Sequence, residues 1–339
     1  MFKPTYIISP TLLNTIKRIA ILVHELNRKR PSSPILTHLQ TEARAMSTYA
    51  STSIEGNPLP LTEVKRLLKN EPQRARDSER EVLNYNQILL MLHETEPATM
   101  TRDLLLSIHK GVMDGLLPEH QNGRFRQEPV VVHDPRSGEV VYLPPDWQTV
   151  PQLVEELMAF VQVNQVILDP VLLAGVFHKQ MVVIHPFVDG NGRTTRLATK
   201  QLLAGLGVDT FPLFSFETYY NQNVTRYFQK VGLFGDYNEL ATNLDFTPWL
   251  EYFADGILDE LLRVQKLLET QTTPDTALQL HHKVILAHID AHSFITDKDY
   301  AQLTDRAKAT RALDFKKLLE LGLIERKGRG RSTHYKRAE

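Results

Sequence analysis

At 339 residues, with 42% hydrophobic and 23% charged side chains, the chain is long enough for two or three domains and too apolar for disorder. Lys plus Arg number 39 against 40 Asp plus Glu, so a chain-wide electrostatic grip on nucleic acid is excluded and charge must be judged segment by segment. Cysteine is absent, which excludes disulfides, thiolate metal sites and cysteine nucleophiles. The first residues carry no signal pattern and no apolar run is long enough for a bilayer, so a cytoplasmic chain with no membrane contact is expected.

Most of the chain reads as helix. Leu36, Leu39, Ala43, Met46 and Ala50 recur at helical spacing over 36–54, and Gly56, Asn57 and Pro58 end that run. Further helices are expected over Leu61–Lys69, Ser78–His93, Thr101–Leu117, 150–162 and 170–184. Pro129–Leu143 differs: two β-branched runs flank Asp134-Pro135-Arg136-Ser137-Gly138, a hairpin signal. The aromatic-rich stretch from Phe211 to Leu262 is again helical. A polar run over 270–275 reads as a linker to a small unit, 276–339. The expected division is an N-terminal helical region (1–100), a core (101–262) and that C-terminal unit.

The chemistry concentrates in one loop. An apolar helix ends at His185, Pro186 stops it, and Asp189-Gly190-Asn191-Gly192 leads into a new helix expected from Arg193. A Gly-rich loop opening a helix is suited to phosphate, because its first N–H groups lack intrahelical acceptors and Gly190 and Gly192 let an oxyanion approach the backbone. Arg193 and Arg196 lie three apart, on one helix face, where two guanidinium groups can clamp a polyphosphate. Asp189 offers the hard oxygen that Mg²⁺ prefers. His185, at the loop mouth, is the one group there that takes a proton near neutrality. Each residue alone reads as ordinary structure; a base, a metal ligand, an anion nest and two cations within twelve residues do not.

That segment, His185-Pro186-Phe187-Val188-Asp189-Gly190-Asn191-Gly192-Arg193-Thr194-Thr195-Arg196, resembles the signature of the Fic family at every fixed position. Gly123-Arg124-Phe125-Arg126, Tyr227-Phe228, Gly235-Asp236 and Thr247-Pro248-Trp249 are similar to further family segments, so the likeness runs from about Thr101 to Phe253. It implies a mainly α fold, a Fic-type helical core with a β-hairpin flap. It also implies a nucleotidyltransferase that moves AMP from ATP to a Ser, Thr or Tyr hydroxyl of a target protein. The roles implied are His185 as base, Asp189 as Mg²⁺ ligand, and Gly190, Asn191, Gly192, Arg193 and Arg196 as phosphate binders; Tyr227 and Phe228 are candidates for the wall of the nucleotide pocket. Phe187 is expected in the core. Glycine at 192, where a phosphorylating branch of the family carries Lys, favours AMP transfer with pyrophosphate leaving.

Ser51-Thr52-Ser53-Ile54-Glu55-Gly56 resembles the family's inhibitory motif, in the class with an N-terminal inhibitory helix. A Glu55 carboxylate on Arg196 would compete with the γ-phosphate, with Ser51 part of the same motif. The 129–143 hairpin resembles the flap that pairs with an extended target segment. Residues 276–339 read as a winged helix: helices at Leu278–His292, Thr296–Leu303 (N-cap Thr296) and Ala307–Leu321, then strand, basic turn and strand with Arg326, Lys327, Arg329, Arg331, Lys336 and Arg337. DNA contact and protein docking are both open for it, as is a homodimer for the chain. Two alternatives to AMP transfer stand beside it: removal of AMP with Glu55 positioning water, and a DNA-binding regulator whose core senses nucleotide.

Overall fold

The computed structural model describes residues 2–28, 33–94, 99–133, 138–208, 213, 215–272, 278–328 and 330–338, with the side chains of 33–36, 38, 270–272 and 331 left aside. The tip of the expected hairpin, 134–137, and Arg329 lie outside them.

The protein is mainly helical. The helices are α1 (Pro10–Arg28), α2 (Ser33–Ile54), α3 (Leu61–Lys69), α4 (Asp77–Glu94), α5 (Arg102–Val112), α6 (Val150–Asn164), α7 (Pro170–Ile184), α8 (Asn191–Gly205), α9 (Phe216–Gln222), α10 (Val224–Val231), α11 (Tyr237–Leu240) and α12 (Thr247–Thr272). Three more, α13 (Leu280–His292), α14 (Asp297–Leu303) and α15 (Lys308–Glu320), precede a hairpin of β4 (Ile324–Lys327) and β5 (His334–Arg337). The chain divides into two compact units: one of Met1–Asn27 with Glu42–Leu262, the other of Arg28–Thr41 with Arg263–Glu339. No described helix is long and apolar enough to cross a membrane.

In the first unit α7 is buried almost throughout, from Val171 to Ile184, because its sequence is mostly apolar and its buried His178 and Lys179 reach the Tyr227 hydroxyl and the Lys230 carbonyl. It is started by Asp169, whose side chain accepts from the Val171 N–H at 2.8 Å, with Pro170 in the first turn. Against it pack α8 and α6 and the aromatic side chains Trp249 and Phe253 of α12; the Trp249 indole donates to the Gly175 carbonyl at 2.8 Å. Gly175 is the small residue that admits this contact, since a methyl there would lie 2.6 Å from Leu250.

The hairpin is shorter than its sequence signal. Val132–His133 (β1) pairs antiparallel with Val140–Leu143 (β2), and Gly235–Asp236 (β3) adds a parallel third strand beside β2. Helix α5 stops at Val112 rather than Leu117, the chain turning through Gly115 at φ 66. Residues 270–272 of the expected linker are instead the last turn of α12. Helix α1 had no counterpart in the sequence reading.

In the second unit, Ile285, Ile289, Ile295, Tyr300, Phe315, Leu318 and Ile324 form the core. Thr296 caps α14 as its sequence suggests, in a reciprocal capping box with Asp299. A two-residue bridge ties Ile295 to Tyr335 beside the β4–β5 hairpin.

Candidate active site

His185 closes α7 in the left-handed region, φ 49 and ψ 61, a conformation a non-glycine residue holds only when its surroundings fix it. Arg126 supplies that fixing. Its Nε donates to the His185 carbonyl at 2.9 Å, its backbone N–H to the Pro186 carbonyl at 2.9 Å, and its far nitrogen reaches the Pro145 carbonyl. Farther along the loop, the His109 ring stacks on Phe187 with centroids 3.8 Å apart. His109 Nδ1 accepts from the Gly123 N–H at 3.0 Å, so its proton is on Nε2, which donates to the Asp189 carbonyl at 3.0 Å. Phe187 itself is fully buried, as expected.

Gly190 turns the chain with φ 76 and no room for a side chain, since a methyl would lie 2.6 Å from the Met113 sulfur. This lets α8 begin at Asn191, two residues before its expected start. The Asn191 side chain is spent on the loop: Oδ1 accepts from the Phe187 N–H and Nδ2 donates to the Phe187 carbonyl, both at 2.9 Å. What Asn191 can still offer an anion is its backbone N–H, beside those of Gly192 and Arg193 in the first turn.

The two arginines are buried rather than solvated. Arg193 donates NH1 to Glu81 Oε1 at 2.5 Å and NH2 to Asp189 Oδ1 at 3.0 Å. Arg196 donates Nε to the Ser51 hydroxyl and NH2 to the Ser51 carbonyl, both at 2.8 Å, and NH2 lies 2.8 Å from Glu55 Oε1. Arg193 Nε and Arg196 NH1 remain buried without a hydrogen-bond partner among the described residues. Burial alone would lower the Arg196 pKa; the Glu55 carboxylate, together with Tyr227 and Tyr85, more than offsets this and holds it above its usual value. A methyl built on Gly192 would lie 2.2 Å from Glu55 Oε1, so the carboxylate sits over the first turn of α8.

The end of α2 explains how Glu55 reaches there. The Gly56 N–H donates to the Ser53 carbonyl and the Asn57 N–H to the Thr52 carbonyl, with Gly56 at φ 92, which is a Schellman closure with Glu55 at the cap. The helix itself is anchored by a buried network: Glu217 accepts from Ser47 (3.2 Å) and Tyr85 (2.8 Å) and pairs with Lys200 at 2.9 Å.

Asp189 is more than half exposed, and its Oδ1 also accepts from the Gly190 N–H. A hard, solvent-facing carboxylate beside two orphaned guanidinium nitrogens and free helix amides suits Mg²⁺ on a polyphosphate. His185 departs from its expected titration. Desolvation pushes its pKa down to about 4, with Arg126 adding to the fall while the Val182 carbonyl, Glu55 and Asp189 partly oppose it. The ring is therefore neutral at pH 7, able to accept a proton yet weakly basic.

Tyr227 is not at an open pocket wall. It is almost completely buried, its hydroxyl within 3.2 Å of His178 Nε2 and its ring stacked 4.6 Å from Tyr220. Burial raises its pKa to about 12, with Arg196 opposing. The sequence singles out none of Arg126, His109, Asn57 and Glu81 as a site residue; it marks only the segment holding Arg126 and, as a helix end, Asn57.

Residues 99–203 match the family model described as the Fic/DOC family. Over 257 residues the chain is 28% identical to the protein adenylyltransferase Fic of Aedes aegypti, covering 71% of this chain and 47% of that protein. It is 30% identical over 176 residues to the protein adenylyltransferase Fic of Nematostella vectensis, covering 49% of this chain and 39% of that one. The chain thus spans about half or less of the length of these relatives. A crystal structure of a Fic family protein from Desulfovibrio desulfuricans superposes with a TM-score of 0.67 at 22% identity, covering 99% of this chain and 98% of that one. Fic-1 from C. elegans gives 0.61 at 21%, covering 76% and 73%. These structural likenesses speak to the fold.

Proposed function

With residues 99–203 forming a Fic domain, we propose that the chain transfers AMP from ATP to a hydroxyl of a target protein and that Glu55 holds this activity down. The observation that carries the reading is the Glu55 carboxylate on Arg196, above the first turn of the helix that the phosphates would use.

In the proposed reaction the backbone N–H groups of Asn191, Gly192 and Arg193, with Arg193 and Arg196, bind the triphosphate, and Asp189 holds Mg²⁺. The ion supplies charge neutralisation on the phosphate oxygens. His185 takes the hydroxyl proton of a Ser, Thr or Tyr side chain. The freed oxygen bonds to the α-phosphorus, the bond from that phosphorus to the α–β bridging oxygen breaks, and pyrophosphate leaves with the electron pair. The triphosphate's negative charge lifts the His185 pKa from its depressed value and so strengthens the base when substrate is bound. The left-handed backbone held by Arg126 aims the ring, and the outer edge of β1 receives the target segment.

Residues 276–339 are read as a winged helix serving to dock protein rather than DNA. In it Arg311 is held by both oxygens of Asp297, at 2.9 and 3.0 Å, and Arg337 by both of Asp290, at 2.7 and 2.8 Å. Each guanidinium would have to give up its carboxylate before it met a phosphate or a base edge. The core experiment is incubation of wild-type and Glu55→Gly protein with α-labelled ATP, Mg²⁺ and lysate. Label on protein with the Gly variant is expected. No labelled band with either protein would overturn the transfer reading.

A further inference from the structure

Glu81 is not part of any motif in the sequence, yet it lies at the centre of the charged cluster. It projects from α4, between the end of the helix that carries Glu55 and the start of α8. Its two oxygens do different things. Oε1 accepts from Arg193 NH1 at 2.5 Å, and Oε2 accepts from Asn57 Nδ2 at 2.6 Å. Asn57 is the residue whose backbone N–H closes the Schellman turn behind Glu55, and its own side chain is further fixed by the Ser78 carbonyl and the Leu59 N–H. Both ends of the contact are withdrawn from water, with the Arg193 side chain 6% exposed and that of Glu81 14%.

The site thus presents two arginines, each already in the hands of a carboxylate from outside the loop: Arg196 with Glu55 and Arg193 with Glu81. A polyphosphate that engages both guanidinium groups must displace or share both acids. Removing Glu55 alone leaves Arg193 paired, and the Asn57 hydrogen bond ties the surviving acid to the same helix end.

We propose that Glu81 is a second acidic hold on the nucleotide site, occupying Arg193 as Glu55 occupies Arg196, with Asn57 joining the two. This deepens the nucleotide reading above and rests on it. Glu81 touches neither nucleotide nor target; it acts through Arg193, so it is a positioning residue. Its substitution should raise affinity, which a loss of packing would not do. A different role gives the opposite sign: if Glu81 holds Arg193 in the pose that phosphates need, its removal weakens binding.

The test is calorimetric titration of Mg·ATP into wild type, Glu81→Gln, Glu55→Gly and the double variant, with melting temperatures alongside. Glu81→Gln should tighten binding about fivefold over its parent in both backgrounds, at the low end of ordinary coupling between sites. The double variant should also show a lower KM for ATP in AMP transfer than Glu55→Gly, with kcat nearly unchanged. If Glu81→Gln does not fold, Glu81→Asp takes its place; it keeps the charge but draws it back from Arg193, and should tighten binding in the same direction. Binding by Glu55→Gly that is unchanged or weakened by the Glu81 substitution overturns the second hold and leaves the nucleotide reading standing. No Mg·ATP binding by Glu55→Gly or by the double variant removes the nucleotide reading itself, and the second hold with it.

Discussion

Replacing Glu55 separates electrostatic from backbone control of the site. Its carboxylate lies 2.8 Å from NH2 of a fully buried Arg196. At that range, and at an effective dielectric of about 20, the attraction of the two charges is roughly 6 kcal/mol. Part of it is returned by the desolvation of Glu55, whose side chain is one quarter exposed, so about 3 kcal/mol is a fair net preference for the inhibited arrangement. Removing it should raise AMP transfer on the order of a hundredfold. Glu55→Gly also loosens the Schellman end of α2, whereas Glu55→Gln keeps the shape and drops the charge. The assay is the initial rate of α-labelled AMP incorporation at subsaturating ATP for both variants, each alone and with Arg196→Ala. Activation by both, abolished by Arg196→Ala, is the expected result. Activation by Gly alone would put the control in backbone release rather than the ion pair. No activation by either would refute the reasoning and leave Ser51–Gly56 an ordinary helix end.

His185→Ala should abolish AMP transfer while ATP affinity stays within a few-fold of its parent, because the ring accepts the proton but does not hold phosphate; transfer near the parent rate would remove it as base. In an activated variant, kcat/KM should stay flat from pH 8 to 6, since His185 of the free protein takes its proton only near pH 4 and not at the ordinary 6.5; an acid limb near 6.5 would contradict the buried ring. Asp189→Ala should make ATP binding insensitive to Mg²⁺ in calorimetry, and an unchanged dependence would take Asp189 out of the metal site. His93, His109 and His185 are all held neutral down to about pH 4 by burial, whereas unfolded they take a proton near 6.5. The unfolded chain then binds more protons, so stability should fall as pH drops from about 6.5 towards 4, by about 1.4 kcal/mol per pH unit for each of them. Melting temperatures that do not fall across that window would refute the assignment.

What the sequence determined is local. A Pro after His185, two glycines, a carboxylate and two arginines at helical spacing carry their meaning within twelve residues, because turn and helix-start chemistry acts over one or two turns. The end of α2 was legible for the same reason: Gly56 supplies the left-handed residue that closes the helix and leaves Glu55 at its cap. The tertiary structure decided everything that needs two distant segments to meet. Ser51 and Arg196 are 145 residues apart and Glu81 and Arg193 are 112 apart, so no spacing rule could pair them. The grip of Arg126 on the His185 carbonyl spans 59 residues. Burial was equally out of reach: a histidine taken for an ordinary neutral-range base has its pKa held near 4, and a tyrosine taken for a pocket wall is packed among aromatics. Desolvation depends on how much protein surrounds a group, and that is set by packing and not by the neighbours along the chain.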